Sequence, residues 1–363
     1  MNKIDKARQE IDRIDREMAK LFVERMEASE VVAEYKRERG LQVFDPVREN
    51  YVIDKNSKLV EDQSIREYYV SFLRNNMEIS KSYQRRLMDG MKIAFSGVEG
   101  AFADVASKRI FPGGEITPFG NFAEAYKSVE YGECDCCVLP IENSFAGEVG
   151  QVIDLIFNGS LYVNGIYSLK ITQNLLGIKG SRKEDIKEVI SHPQALAQCE
   201  AYLKEMGCQT TNAVNTAVAA KSVLELNDKT VAAIASRETA QIYGLEVLDH
   251  DINESAANAT KFAVLTRSSN VREKSGRMIL LFSVKQVAGA LAKAINVLGE
   301  YGCNMVSLRS RPMKEPAWQC YFYIETECDI SEDSFKEMFE KLSEQCERLK
   351  VVGYYNNVID LGR

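Results

Sequence analysis

Histidine is nearly missing from this chain: only His192 and His250 occur in 363 residues. That scarcity argues against imidazole-based metal centres, and no metal is expected. Basic charge is not in excess either. Lys and Arg number 46 against 53 Asp and Glu, for a formal net charge of -7, which disfavours nucleic acid as a partner. No apolar run approaches the roughly 18 residues a membrane helix needs, so no membrane association is expected. The opening MNKIDKARQE has no apolar core of the signal-peptide kind, and a cytoplasmic location is expected. The turn SGVEG lacks the third glycine and downstream acid of a dinucleotide fingerprint, so no nicotinamide cofactor is expected. Cysteine is present but scattered. Its one cluster, Cys134, Cys136 and Cys137, lies in a strand-like run where alternation sends Cys136 and Cys137 to opposite faces; buried thiols are expected there.

What is present falls into three segments of different periodicity. The length exceeds one ordinary core and suggests two or three domains. Residues 1–90 predict an all-α domain. Ile4, Ala7, Ile11, Ile14, Met18 and Leu21 recur at three- and four-residue steps, and Asp45-Pro46 marks a second helix start. Residues 91–270 alternate short apolar strands (MKIAFSG, CDCCVLPIE, EVISHP, TVAAIAS) with helical stretches. This predicts a two-lobed α/β domain, resembling periplasmic binding proteins, with a largely parallel sheet. Residues 275–363 read βαββαβ, an α+β ferredoxin-like unit. A polar linker, RSSNVREKSG, is expected over 267–276, and a turn over RPMKEPAW.

The first helix breaks its own pattern. Arg25 occupies the seam position after Leu21, where a buried guanidinium requires an anionic partner. Lys36 follows about 20° round the helix and roughly 16 Å along it, so the two cations can close on one small dianion. Arg8 lies about 26 Å from Arg25 and reaches that site only from a second, antiparallel chain. On the third helix Ser80 and Gln84 are polar positions one turn apart, near the stripe of Tyr69 and Leu73. A helical dimerisation domain with arginines paired to Glu24 or Glu49 is the competing reading.

In order and nearly in spacing, Arg8, Arg25, Lys36, Asp45, Arg48, Glu49, Ser80 and Gln84 resemble the site of the all-helical chorismate mutases, with VFDPVRE similar to that family's Asp-x-x-Arg-Glu signature. The resemblance implies that Arg8 of a partner chain, Arg25 and Arg48 hold the carboxylates of chorismate. Lys36 and Gln84 would face the breaking ether oxygen, Glu49 and Asp45 the hydroxyl, and Ser80 would line the site. Asp45 is equally explained as a helix cap. Such a rearrangement needs conformational restriction and preorganised donors, not a nucleophile or a cofactor.

In the middle segment Pro140-Ile141-Glu142-Asn143 and Ser191-His192-Pro193-Gln194 each end a strand, where parallel sheets place ligands. Gln198 follows one turn after Gln194. With Thr260-Lys261-Phe262 they resemble the PIEN, SHPQ and T-R-F motifs of the prephenate dehydratases. The resemblance implies decarboxylation and dehydration of prephenate, with Thr260 near the leaving hydroxyl and Glu142, Asn143, Ser191, Gln194 and Gln198 around it. His192 has the natural acidity for a proton donor. Lys261 replaces the family's arginine but keeps a charge for a carboxylate. Ile166 and Gln173 stand where relatives often carry Glu and His. A chain that uses arogenate, and a non-catalytic amino-acid sensor on the same scaffold, remain alternatives. A DNA-reading regulator is disfavoured, because residues 1–90 hold 18 basic and 18 acidic side chains.

Finally, Gly289-Ala290-Leu291 and Arg309-Ser310-Arg311-Pro312 resemble the G-A-L-V and E-S-R-P motifs of the ACT domain found on such dehydratases. That implies phenylalanine as an inhibitory effector, bound between two such domains near Asn304. Arg309 reverses the charge of the motif. The helical domain and the sensor together imply a homodimer or higher oligomer.

Overall fold

In a computed structural model of the protein, residues 2–255, 257–270, 276–313, 319–329 and 331–362 are described. Residues 271–275 of the expected linker and 314–318 of the expected turn lie outside them. The chain divides into two compact units, Met1–Lys92 and Ile93–Arg363. Among the described residues no helix is long and apolar enough to cross a membrane.

The first unit is three helices, α1 (Lys3–Glu38), α2 (Pro46–Ser57) and α3 (Gln63–Asp89). An Asn2/Asp5 capping box starts α1, and Asp45 and Asp62 cap α2 and α3, each supplying an acceptor for otherwise orphaned N–H groups. Helix α1 packs on α3, as does α2. Its 36 residues span about 54 Å, yet the seam of Ile4, Ile11, Ile14, Met18 and Leu21 is 42–62% exposed. What is buried here is polar or small: Ser29, Ala33, Ser80 and Gln84.

The second unit begins with β1 (Lys92–Ser96), α4 (Phe102–Ile110), β2 (Glu115–Phe119), α5 (Phe122–Glu130), β3 (Cys136–Asn143), β4 (Gly147–Glu148), α6 (Gly150–Asn158) and β5 (Tyr162–Lys170). The chain then crosses into a second lobe of β6 (Asn174–Gly177), β7 (Glu188–Ser191), α7 (Pro193–Gln198), α8 (Glu200–Met206), β8 (Gln209–Asn212), α9 (Thr216–Leu226), β9 (Val231–Ala235), α10 (Arg237–Tyr243) and β10 (Glu246–Asp249). It returns through β11 (Ala259–Thr266). The remaining elements are β12 (Arg277–Ser283), α11 (Ala290–Glu300), β13 (Asn304–Pro312), β14 (Cys320–Glu327), α12 (Glu332–Gln345), β15 (Arg348–Tyr355) and β16 (Val358–Asp360).

The lobes are mixed sheets, not the largely parallel ones expected. In the second lobe, ordered β10-β6-β9-β7-β8, β6 runs antiparallel to both neighbours. In the first, β11 is antiparallel to both β3 and β5. The cause is topological: a chain that crosses to the second lobe and comes back inserts its returning strand in the reverse direction. Cys134, Cys136 and Cys137 are all buried, and none is in a disulfide.

The βαββαβ unit is observed, with strand order β13-β14-β12-β15, and it is not separate from the lobe before it. Its sheet continues that of the first lobe through β15 and β5. Gly353 allows the approach, since a Cβ there would collide with the Val163 carbonyl oxygen. One core combines Ile141, Ile153, Ile156, Val163 and Ala263 with Ile279, Leu281, Tyr321, Tyr323 and Val352. Lys350 and Arg348 donate to the C-terminal carbonyls of α6, at Ile156 (2.9 Å) and Phe157 (2.8 Å), where cations satisfy orphan acceptors. A Cys303–Cys328 disulfide, not expected from the sequence, joins residues flanking the Asn304↔Glu327 strand pair.

Candidate active sites

In the first unit Arg25, Lys36, Asp45, Arg48, Glu49, Ser80 and Gln84 all line one cavity of about 370 Å³. Three helices deliver them: α1 the two seam cations, the start of α2 the Asp45-x-x-Arg48-Glu49 cluster, and α3 the buried Ser80 and Gln84. Arg8 is not part of this lining and is exposed. Among the described residues no acid pairs with Arg25 or Lys36. Arg25 donates to the Asn76 carbonyl (3.1 Å) and to Ser80 Oγ. Lys36 donates to the Val43 carbonyl (2.6 Å) and to Gln84 Oε1 (3.2 Å). Burial holds the Arg25 guanidinium below its ordinary pKa, the direction an entering anion would reverse. Asp45 accepts from the Arg48 backbone N–H at 2.9 Å, so its capping role is present while it sits on the cavity wall. Lys81 escaped the sequence reading. It lines the cavity and bonds Glu49 at 3.0 Å, but as Ser80's neighbour it lies off the stripe that drew notice.

Between the two lobes lies a cleft of about 320 Å³ lined by Asn143, His192, Gln194, Gln198, Thr260 and Phe262 among others. Asn143 is its hub. The amide Nδ2 donates to Thr260 Oγ1 (3.0 Å), and Oδ1 accepts from Gln194 Nε2 (3.0 Å) and from the Phe145 and Ala146 N–H groups. Gln198 Oε1 accepts from Gln173 Nε2 at 3.1 Å. Gln173 is 2% exposed, and its side-chain Oε1 has no partner among the described residues. His192 Nδ1 caps α7 by accepting from Gln194 N–H, which leaves the ring hydrogen of the neutral form on Nε2. Burial lowers its pKa. At neutral pH His192 is therefore an uncharged donor, whereas ordinary acidity would leave it part protonated.

Three expected members lie elsewhere. Ser191 is fully buried and donates to the Ile234 carbonyl at 2.6 Å, tying β7 to β9. Glu142 and Lys261 do not line the cleft. They form a cross-strand pair behind it, Lys261 Nζ to Glu142 Oε2 at 2.9 Å, beside Arg309 of β13 at 2.6 Å. Strand alternation accounts for this, because Asn143 and Thr260, one residue away on each strand, take the cleft side. Burial pushes the Glu142 pKa up, but Lys261 and Arg309 outweigh it and the net shift is downward. The cleft wall includes the first turn of α4 (Ala101, Phe102, Ala103), which has no side-chain cap, and the start of α9 (Asn215, Thr216). Both ends present partial positive charge. Gly97 and Gly100 build the turn before α4 with φ of 125° and 87°, the tight-turn role read for that glycine pair. Asn215-Thr216 was missed, although it is a strand-to-helix start like the two motifs singled out.

In the C-terminal unit Ala290 and Leu291 line a cavity of about 450 Å³ with Val284, Val287, Cys320 and Phe322. Gly289 precedes α11 with φ 82°. Asn304, Arg309, Ser310, Arg311 and Pro312 are not in that lining. Arg309 and Arg311 are committed to Glu142, Glu148 and Asp154 instead.

Known proteins resemble both units of the chain. The chorismate mutase type II family model matches residues 7–85, and the prephenate dehydratase model matches residues 93–270. The bifunctional chorismate mutase/prephenate dehydratase of Aquifex aeolicus is 30% identical over 98% of both chains. Among solved structures, the quorum-quenching acylase GqqA is 31% identical (TM-score 0.67), covering 73% of this chain and 97% of that one. The prephenate dehydratase of Arthrobacter aurescens in complex with L-Phe is 25% identical (TM-score 0.68), covering 74% and 90%. With the two family models in series and a relative matched from end to end, the chain belongs to the bifunctional chorismate mutase/prephenate dehydratases.

Proposed function

We propose that the two cavities carry out consecutive steps of phenylalanine biosynthesis through the residues described. The first rearranges chorismate to prephenate. The observation that carries this is the meeting of seven expected residues around one cavity whose Arg25 and Lys36 have, among the described residues, only neutral partners. Arg25 and Arg48 take the two carboxylates, and Lys36 with Gln84 stabilises charge gathering on the ether oxygen as the C–O bond breaks. The cavity binds the reactive conformer and makes no covalent bond to it.

The exposed α1 seam is covered by a second copy running antiparallel, which brings Arg8 of one protomer to the Arg25 of the other. The test is complementation. Arg8→Ala and Arg25→Ala chains are each inactive as mutases. Mixed after dissociation, they regain about a quarter of normal activity, because half the dimers are hybrid and each hybrid holds one intact site. No recovery on mixing counts against a shared site.

The cleft converts prephenate to phenylpyruvate, consuming one proton and releasing carbon dioxide and water. Asn143 orients the Thr260 hydroxyl toward the departing ring hydroxyl, and neutral His192 donates a hydrogen bond. Among the described residues no cationic side chain lines the cleft, so the starts of α4 and α9 receive the substrate carboxylates in the role expected of Lys261. Assays with prephenate and with arogenate test the substrate: turnover of arogenate alone would replace this reading with the arogenate alternative. Ligand binding with turnover of neither would instead favour the non-catalytic sensor.

The βαββαβ unit is read as an ACT domain that senses phenylalanine near Gly289-Ala290-Leu291 and, across a paired domain, near Asn304. The L-Phe complex of the Arthrobacter relative supports that effector. The expected setting is the cytoplasm.

A further inference from the structure

Besides the shared core, Glu142 is a polar point at which the C-terminal unit touches the strands that carry the second cleft. Its Oε1 accepts from Arg309 Nη2 at 2.6 Å, and its Oε2 from Lys261 Nζ at 2.9 Å. The guanidinium of Arg309 lies 5.7 Å from the centre of the Tyr323 ring and 4.0 Å from Glu148 Oε2. The side chains of Arg309 and Glu142 are each 26% exposed, so water screens the pair only in part. Lys261↔Glu142 and Thr260↔Asn143 are adjacent cross-strand pairs of β11 and β3. The first faces the C-terminal unit and the second faces the cleft. A pull on Glu142 therefore reaches the Asn143 amide through a single peptide, and Asn143 holds the Thr260 hydroxyl at 3.0 Å.

The neighbouring contacts do a different job. Arg311 pairs with Glu148 and Asp154, and Tyr321 bonds Asp154 at 2.7 Å. These fasten α6 and β4 to the C-terminal unit. Among the described residues, the ion pair to the β3–β11 couple comes from Arg309.

We propose that Arg309 is a positioning residue of the dehydratase: by holding Glu142 from behind the sheet, it sets where Asn143 and Thr260 meet the departing hydroxyl. The proposal rests on the assignment of Asn143 and Thr260 to dehydration. It makes the C-terminal unit part of the machinery for turnover, independently of any effector. Lys261 is then the local partner of Glu142, not a substrate ligand. Arg309 does not touch the cleft, so its loss misplaces the reacting groups and leaves substrate affinity nearly unchanged. Small misplacements of reacting groups cost rate steeply.

The test is steady-state kinetics on the full chain with prephenate, for Arg309→Gln, Arg309→Lys, Glu142→Gln and the Arg309→Gln/Glu142→Gln double variant, each with a thermal melt. Arg309→Gln is expected to lower kcat about tenfold with KM within about twofold. Arg309→Lys retains at least about half of kcat, since an ammonium can still reach Oε1. In the Glu142→Gln background, Arg309→Gln has no further effect, because the two act as one unit. A raised KM with unchanged kcat would make Arg309 a substrate ligand and overturn the proposal. So would additive effects in the double variant, or equal loss in the Lys and Gln variants tracking a lowered melting temperature. Failure of the unaltered chain to turn over prephenate would sink the dehydratase reading itself, and this proposal with it.

Discussion

Arg25→Ala is the sharpest perturbation of the first cavity, because the structure separates its effect on catalysis from its effect on folding. Its partners are the Asn76 carbonyl and Ser80 Oγ. When the guanidinium is removed, Ser80 Oγ still donates to that carbonyl at 3.1 Å, so no buried polar group is orphaned. Removing a cation already held below its ordinary pKa by burial also relieves desolvation. The stability change is accordingly small, within about 1 kcal/mol. A bound substrate carboxylate, by contrast, loses its charged partner in a half-buried site, which costs about 3–5 kcal/mol. At 1.36 kcal/mol per decade this is a loss of roughly 10²- to 10⁴-fold in kcat/KM for chorismate. Arg25→Lys keeps the charge but not the planar fork and falls between. The assay follows chorismate consumption and prephenate consumption in one preparation. Prephenate turnover is unchanged, since the cleft belongs to the other unit. Chorismate turnover within threefold of normal would refute the reasoning, as would an equal loss of both activities.

Other outcomes follow from the same geometry. Lys261→Arg leaves KM for prephenate within about twofold, because Lys261 faces Glu142 and not the cleft; a clear drop in KM would restore it as a carboxylate ligand. The dehydratase kcat stays flat from pH 6.5 to 8.5. Burial puts the His192 pKa below 6.5, so a reaction needing the charged imidazole would fall about a hundredfold over that span. Glu142 has a lowered folded pKa, so its ion pairs stabilise the fold above the ordinary carboxylate pKa. That contribution is lost as pH falls through the folded value; acid melts should show a smaller loss for Glu142→Gln than for the unaltered chain. Phenylalanine lowers prephenate turnover, and Leu291→Arg, which fills the cavity of about 450 Å³, abolishes the effect; inhibition that survives this change would place the effector elsewhere.

The order of architectures and the Arg25–Lys36 anomaly were legible in the sequence because both depend on local periodicity; Arg48, Glu49, Ser80 and Gln84 were joined to that pair only through the resemblance to the chorismate mutases. Arg25 stood out only against a regular seam, and Asp45 announced itself by helix-cap chemistry. The faces of Glu142 and Lys261 were not legible, because each motif was taken as a block although its residues alternate across the sheet. A register shift between Lys261 and Phe262 complicates the count further. Arg309 reaches Glu142 across 167 residues of sequence, a pairing that exists only once β15 lies along β5. The same non-local closure explains why the expected second and third domains share one sheet and one core, while β11 runs against its neighbours because the chain returns there from the second lobe.

The most direct measurement gives the purified full chain chorismate as its sole substrate and follows both products in time. The account predicts that prephenate appears first and phenylpyruvate after it, with Arg25→Ala blocking both and Asn143→Ala stopping the sequence at prephenate. Chorismate left unconsumed, or prephenate that accumulates in the unaltered chain without reaching phenylpyruvate, would contradict it.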